Sequence, residues 1–157
     1  MATHAVGGAG GAGAPPRMPA SIHLEIVTPE ARVVSEVVDE VVLPGSEGSL
    51  GVLPGHAPLL TGLGVGEVMY RRGTVRRFVA VAWGFAEVLP DRVSILAEIA
   101  ERAEAIDRER AQRSRDRAMR RLRDRGHDTD FERAQIALQK ALIRLQVSQQ
   151  IGPNEPA

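Results

Sequence analysis

Apolar and polar side chains alternate with a period of two over much of residues 21–97, which is the pattern of half-buried β-strands. The first run places Ile22, Leu24 and Ile26 on one face, and Thr28-Pro29-Glu30 ends it. Further β-branched runs follow, separated by glycine and proline and without a helical period between them. This pattern predicts an antiparallel β-sandwich or flattened barrel over residues 21–97.

Two hairpins and one long loop are predicted within that region. Residues 67–71 and 74–81 flank Gly73, and residues 85–89 and 92–96 flank Pro90-Asp91, as in hairpins closed by tight turns. Residues 45–61 are so rich in glycine and proline that we expect a loop there. Its apolar residues are expected to form a small enclosed core, at Leu50, Val52, Leu53, Leu59 and Leu60.

The pattern becomes helical after Leu96. Residues 97–122 contain no proline or glycine and consist mainly of good helix formers, which predicts a first helix. Gly126-His127 interrupts it, and Thr129 and Glu132 stand at the spacing of a capping box that opens a second helix. Gly152-Pro153 closes the second helix, whose apolar residues recur at steps of three and four, at Phe131, Ala134, Leu138, Ala141, Leu142 and Leu145.

The short connection between the two helices predicts an antiparallel helical hairpin over residues 98–151. Its first helix has few apolar positions, at Ala103, Ile106, Ala111, Ala118, Met119 and Leu122. Such a helix buries little apolar area, so we expect that the hairpin can leave the β domain.

Composition and charge narrow the functional classes. The 157 residues contain no cysteine, which excludes disulfides and thiolate metal sites and fits a cytoplasmic location. No apolar run of about eighteen residues occurs, residues 1–20 are expected to be a disordered tail, and residues 152–157 form a short C-terminal tail. Basic and acidic residues number 7 and 10 in residues 1–100 but 13 and 9 in residues 101–150, which suggests two segments with different partners.

Residues with catalytic potential do not form a recognisable set. The four histidines share no metal-ligand spacing, and no H-E-x-x-H, G-x-S-x-G or P-loop sequence occurs. We therefore expect neither a catalytic site nor a metal site in this chain.

The most conspicuous polar feature is a set of seven arginines, at Arg113, Arg115, Arg117, Arg120, Arg121, Arg123 and Arg125. They encircle the predicted helix, because positions two apart lie on different sides of it. Three interpretations remain open: a solvated face, a contact with an acidic protein or nucleotide, and a nucleic-acid-binding module. Only 3% of the chain is aromatic and the net charge is zero, which disfavours nucleic acid.

Several strings resemble the epsilon subunits of F-type ATP synthases. The sequence GSEGSLGVLPGHAPLLT over residues 45–61 closely resembles the signature of that family. Trp83 to Val88 and Pro90 to Ala97 resemble the hairpin that follows in the family, and Ala100 to Glu104 resembles its linker to the helices. The resemblance covers residues 21–150.

The resemblance implies a non-catalytic subunit of the central stalk, peripheral to the cytoplasmic face of the inner membrane as part of the complex. Its β domain would bind the gamma subunit and the ring of c subunits, and so couple proton-driven rotation to ATP synthesis. The family's contact region corresponds to Ser46, Glu47, Ser49 and His56. Many relatives carry an acid at the position of Ser49, so this chain departs from the pattern there.

The resemblance also implies a regulatory hairpin that folds down on the β domain or extends toward the alpha/beta catalytic hexamer and holds back ATP hydrolysis. Basic residues of the hairpin would meet an acidic segment of a beta subunit. In this chain those residues are Arg113, Arg120, Arg121, Arg123 and Arg133.

Some bacterial relatives bind regulatory ATP on the folded-down hairpin through an I/L-D-x-x-R-A motif. Residues 106–111 match that motif with Ile106, Asp107, Arg110 and Ala111. The resemblance extends the expected ATP site to Glu101, Arg117, Lys140 and Arg144, although such relatives commonly have arginine where Lys140 stands. The alternative is that Asp107 and Arg110 merely occupy the first turns of a helix, where an acid is favoured in any case. No other cofactor is expected.

Overall fold

The computed structural model describes residues 13–15, 17–124 and 130–151. In that part of the chain, seven strands precede a short 3₁₀ turn and two helices. The strands are β1 Ile22–Val27, β2 Arg32–Val38, β3 Glu40–Gly45, β4 Gly48–Val52, β5 Leu59–Arg72, β6 Val75–Leu89 and β7 Arg92–Arg102. The 3₁₀ turn is Ala103–Ala105, and the helices are α1 Arg108–Arg123 and α2 Phe131–Ser148.

The strands are hydrogen-bonded in the order β2-β1-β7-β6-β5-β3-β4. All pairs are antiparallel except β1 with β7, where the first and last strands run parallel. Because β7 is enclosed by β1 and β6, the chain leaves the sheet from an interior strand. The helices that follow therefore begin next to the sheet.

The core of the β domain consists of large apolar side chains with little or no exposure. Ile22, Leu24 and Ile26 of β1 are fully buried, as their alternation predicts. They pack with residues from all the other strands, including Leu43, Val52, Tyr70, Val81, Val88 and Ile95. The predicted β-sandwich is confirmed, and its core contains no residue from the helices.

In the long strands β5, β6 and β7, the alternation of core-facing residues shifts by one position. The three shifts lie side by side, at one row of paired residues. In β6 the core residues are Val79 and Val81 before this row, but Ala86 and Val88 after it. Trp83 and Gly84 lie at the change, with φ angles of 53° and 123°. A side chain on Gly84 would overlap the backbone of Leu96, so only glycine fits there. Each long strand can thus contribute to the core along its whole length.

The first helix begins later than predicted. Residues 97–102 continue β7, where Ala97 pairs with Gly84 and Arg102 pairs with Val79, and α1 starts only at Arg108. Cross-strand pairing overrides the helix-forming tendency of this Ala- and Glu-rich segment. The sheet consequently extends beyond the boundary at residue 97 expected from the sequence.

The prediction of one long loop over residues 45–61 is also partly wrong. Gly45 ends β3, residues 48–52 form β4 and residues 59–61 belong to β5, so only the turn at residues 46–47 and the segment 53–58 are irregular. Of its predicted core, Val52 is buried and Leu50 partly buried, but Leu53, Leu59 and Leu60 are exposed. These three leucines therefore lie on the surface of the β domain and not in its core.

The second helix is capped by a residue other than the one predicted. The side chain of Asp130 accepts a hydrogen bond from the Arg133 backbone N–H at 3.1 Å. Thr129, the predicted cap, lies outside the described residues, as do Gly126-His127, residues 1–12 and the whole C-terminal tail at residues 152–157, which includes Gly152-Pro153.

The buried residues of the two helices are mostly small. They are Ala111 and Ala118 of α1 and Ala134, Ala141, Leu145, Val147 and Ser148 of α2. The hairpin touches the sheet through a separate small cluster, in which Val147 and Ile143 of α2 pack on Phe78, Ala80, Ala103 and Ile106. The predicted helical hairpin is confirmed.

Candidate functional site

A cleft of about 300 Å³ lies where β7 ends and α1 begins, beside the last turns of α2. Three segments of the chain meet there, because the 3₁₀ turn redirects the chain from the sheet into the helix. The lining residues are Glu101, Ala105, Asp107, Arg110, Ala111, Ser114 and Arg144.

An ion pair joins the two sides of the cleft. Arg144 of α2 donates to Oε1 of Glu101 from Nη2 at 2.7 Å and from Nε at 2.9 Å. About a third or less of each side chain is exposed, so solvent screens this pair less than a surface pair. Arg144 thus fixes the end of α2 to the last strand.

The opposite wall of the cleft is the first turn of α1. Asp107 is the N-cap of this helix, and its Oδ1 accepts the Arg110 backbone N–H at 3.0 Å. Among the residues that the structure describes, no acid pairs with the Arg110 guanidinium, which is exposed. Asp107 therefore has the capping role that was the alternative to ATP binding, while Arg110 is open to an anionic ligand.

Other residues of the expected ATP site lie elsewhere. Ile106 packs in the apolar cluster beneath α2, and Arg117 lies exposed on α1, beyond the lining of the cleft. Lys140 turns away, with Nζ 4.4 Å from the centre of the Trp83 ring. This cation–π contact holds α2 to the row where the strands change phase.

The arginines expected to meet a beta subunit form an exposed set on the hairpin. Arg120, Arg121 and Arg123 are exposed in the last turns of α1. Arg113 lies 3.9 Å from Glu109 and Arg133 lies 3.6 Å from Asp130, both as exposed pairs within one helix. Such pairs contribute little to stability, so this set is available to a partner. Arg125 lies outside the described residues.

Three of the expected contact residues in the β domain lie together. Ser46, Glu47 and Ser49 are exposed at the turn between β3 and β4, where the Ser46 N–H donates to the Gly62 carbonyl. His56 lies in the next loop, and its Nδ1 is 2.7 Å from the Ala57 carbonyl oxygen. No hydrogen bond in the described part of the chain joins His56 to the turn.

An exposed apolar surface, here called the outer patch, lies on the sheet near these loops. It comprises Leu60, Phe85 and Leu96, whose exposed fractions are 70%, 61% and 59%. Phe85 pairs with Leu96, and Leu60 lies on the adjacent strand β5, so the three belong to one surface. Sequence reasoning missed it, because it placed Leu60 in an enclosed core.

Two further residues were not predicted. Glu67 of β5 lies beneath α2, where burial raises the pKa of its carboxyl above 4.5 and a hydrogen bond from Gln146 acts in the opposite direction. Trp83 is the second of these residues, and the Lys140 ammonium group lies over its ring. The sequence feature that could have pointed to Glu67 is an acidic residue within an apolar strand.

Among the described residues, no helix is long and apolar enough to cross a membrane, and no three His, Asp or Glu side chains are grouped as metal ligands would be.

Comparison with known families identifies both parts of the fold. A profile described as ATP synthase, Delta/Epsilon chain, beta-sandwich domain matches residues 21–103. A second, described as ATP synthase, Delta/Epsilon chain, long alpha-helix domain, matches residues 100–149. The chain belongs to this family. The predicted resemblance to ATP synthase epsilon chains is thereby confirmed.

Individual epsilon chains are similar over nearly their full length. That of Syntrophobacter fumaroxidans is 54% identical over 132 residues, covering 84% of this chain and 98% of the relative. That of Nitratidesulfovibrio vulgaris strain DP4 is 50% identical over 130 residues, covering 83% and 97%.

The fold is also found in a solved ATP synthase. One chain of the Euglena gracilis mitochondrial enzyme, solved with OSCP, F1 and c-ring, superposes with a TM-score of 0.73 at 23% identity, over 87% of this chain and 86% of that one. As an epsilon chain, this protein is a non-catalytic subunit of the ATP synthase central stalk, within the complex of stalk and c-ring. This assignment replaces the alternative interpretation of the chain as a nucleic-acid-binding module.

Proposed function

We propose that the two parts of this epsilon chain divide the work of the rotor. The β domain docks on the gamma subunit and the c-ring and couples proton-driven rotation to ATP synthesis. The hairpin regulates ATP hydrolysis by the alpha/beta hexamer. The observation that carries the proposal is that the core of the sandwich is complete without any helical residue, so the hairpin can move while the β domain stays docked.

The surface of the β domain supports its role in docking. The outer patch of Leu60, Phe85 and Leu96 is apolar and exposed, as expected of a surface that another subunit covers. The turn with Ser46, Glu47 and Ser49 and the loop with His56 provide polar contacts nearby. The chain then reaches the cytoplasmic face of the inner membrane only through the complex.

The charge of the hairpin supports its role in regulation. Arg113, Arg120, Arg121, Arg123 and Arg133 are exposed and bind an acidic segment of a beta subunit when the hairpin extends. Because these contacts lie between exposed charges, salt weakens them.

Regulatory ATP would bind in the cleft and hold the hairpin down. Arg110, at the positive end of α1, offers a guanidinium that no acid pairs with among the described residues, and Arg144 offers a second one that also pairs with Glu101. A ligand that takes up Arg144 competes with Glu101, so binding is weaker than at a site with two free arginines. Lys140, held by Trp83, and Arg117 stand outside the cleft and contribute less.

Truncation tests the division of labour. A chain that ends at Arg102 keeps every strand. We expect it to assemble into the ATP synthase and to raise ATP hydrolysis relative to the full chain. Loss of assembly with unchanged hydrolysis would contradict the proposal.

Titration tests the ATP site. We expect ATP at millimolar concentration to shift the NMR signals of residues 103–124 and 130–151 in the full chain. Arg110→Gln removes a charge-assisted hydrogen bond of about 1.5–3 kcal/mol, so its affinity should fall roughly tenfold or more. Arg113→Gln is the matched control on the same helix and should bind as the unmodified chain does. Equal affinity of the two variants would remove the proposed site.

A further inference from the structure

The contact between α2 and the sheet contains one incompletely satisfied acid. Oε2 of Glu67 is buried and has no hydrogen-bond partner among the described residues. The side chain of Gln146, on α2, hydrogen-bonds to the same carboxyl. A charged carboxylate with a buried, unpaired oxygen is unfavourable, whereas the protonated form carries no charge to desolvate.

The charged groups around Glu67 are engaged with other partners. On α2, Lys140 lies over Trp83 and Arg144 pairs with Glu101. Glu101 lies on the far side of Ala80, which pairs with both acids, and Glu101 is itself paired with Arg144.

More distant charges also form pairs of their own. On the edge formed by β3 and β5, Arg71 pairs with Glu40 at 3.1 Å. At the 3₁₀ turn, Glu104 lies 3.6 Å from Arg102. Among the described residues, burial and the hydrogen bond from Gln146 set the pKa of Glu67, and no cation stabilises its ionised form.

Burial under α2 therefore raises the pKa of Glu67 above 4.5, and this shift exists only while the helix lies on the sheet. When α2 leaves, water reaches the carboxyl and the pKa returns toward its ordinary value. Docking is thus accompanied by proton uptake. The docked state has its full advantage below pH 4.5 and loses it as pH rises through the higher pKa of docked Glu67.

We propose that Glu67 is a proton-operated latch for the helical hairpin. With the carboxyl protonated, α2 stays on the sheet, and ionisation of the carboxyl favours its release. The inference rests on the mobility of the hairpin in the proposed function and adds its regulation by pH. Acidification of the surrounding solution holds the hairpin down, and alkalinisation frees its arginines for the beta subunit.

The latch can be tested in the full chain by the fluorescence of Trp83, the single tryptophan. Lys140 and α2 cover one side of its ring, so release of α2 should shift its emission to longer wavelength. We expect this shift as pH rises through the raised pKa of docked Glu67. Glu67→Gln keeps the shape of the side chain without its charge, and should remain docked without the pH-dependent shift.

Two control variants distinguish a failure of the latch from a failure of the proposed hairpin mobility. Glu87→Gln makes the same change on an exposed position of the same sheet and should keep the titration of the unmodified chain. Arg144→Gln breaks the ion pair with Glu101 and should shift the emission at every pH. If Glu67→Gln titrates like the unmodified chain, the latch is wrong while hairpin mobility stands. If emission stays constant in the unmodified chain and in Arg144→Gln, the hairpin does not leave, and the latch and the proposed mobility both fail.

A second measurement needs no substitution. The carboxyl carbon of Glu67 should titrate by NMR with a midpoint above 4.5 in the full chain. Protection of α2 amides against hydrogen exchange, corrected for the intrinsic effect of pH, should fall over the same interval. A Glu67 midpoint at or below 4.5 would overturn the proposal.

Discussion

The β domain and the hairpin differ in what they bury. The strands bury leucine, isoleucine, valine and Tyr70, most with no exposure at all. The helices bury four alanines and few larger side chains, Leu145 and Val147 among them, and Val147 packs on the sheet. A fully buried leucine or isoleucine contributes about 1.5–3 kcal/mol, whereas alanine offers a single methyl group. The same chain thus contains one strongly stabilised part and one weakly attached part.

The difference shows how a small protein can be fixed to a complex and still change shape. The hairpin is held to the sheet by the cluster around Val147, the ion pair of Arg144 with Glu101 and the contact of Lys140 with Trp83. Each can be broken without exposing the core of the sandwich. Conformations separated by few contacts are those that a ligand or a proton can shift.

The largest expected effect comes from the core of the sandwich. Leu24→Ala removes a fully buried side chain of β1 and should lower the free energy of unfolding by about 2–5 kcal/mol. Leu142→Ala, at a side chain that is 48% exposed on α2, is the control and should change it far less. Denaturation by urea measures both. Equal losses would mean that the two regions are not distinct.

A smaller effect is expected at the row where the strands change phase. Gly84→Ala places a methyl group against the Leu96 carbonyl at a φ of 123°, which should destabilise the β domain by about 1–3 kcal/mol. Gly51→Ala is the matched control, because open space surrounds its position and its φ is not positive. Thermal unfolding followed by circular dichroism compares them. An unchanged melting temperature for Gly84→Ala would show that the row tolerates a side chain.

The smallest effect should be confined to the hairpin. Asp107→Ala removes the N-cap of α1 and should cost about 1 kcal/mol of helix stability. The capping hydrogen bond lies within the first turn of α1 and involves no strand. Amides of α1 should therefore exchange faster, while those of β1 and β6 keep their rates. Hydrogen exchange resolves the two regions. Faster exchange throughout the sheet would show that the hairpin and the sandwich unfold together.

The sequence was most informative where periodicity and burial agree. Alternation along β1 predicts the burial of Ile22, Leu24 and Ile26, and the turn residues place two hairpins correctly. The continuation of β7 to Arg102 was missed, because its pairing with β6 is a contact between distant residues that local propensity does not record.

The candidate site was predictable in part. Four of the residues expected at the ATP site, Glu101, Asp107, Arg110 and Arg144, do line one cleft, and ATP binding there stays a prediction. The sequence does not reveal that Lys140 turns to Trp83, because that contact joins a helix to a strand at a positive φ. It also does not reveal which apolar residues form an exposed surface, since Leu60 and Leu24 look alike until the strands are paired.

The central claim is that the hairpin opens from a β domain that stays folded. Native-state hydrogen exchange of the full chain, followed against low concentrations of denaturant, tests it most directly. The account predicts that amides of α1 and α2 exchange through an opening with a markedly lower free energy than the global unfolding that governs β1, β6 and β7. A single opening free energy shared by helices and strands would contradict it.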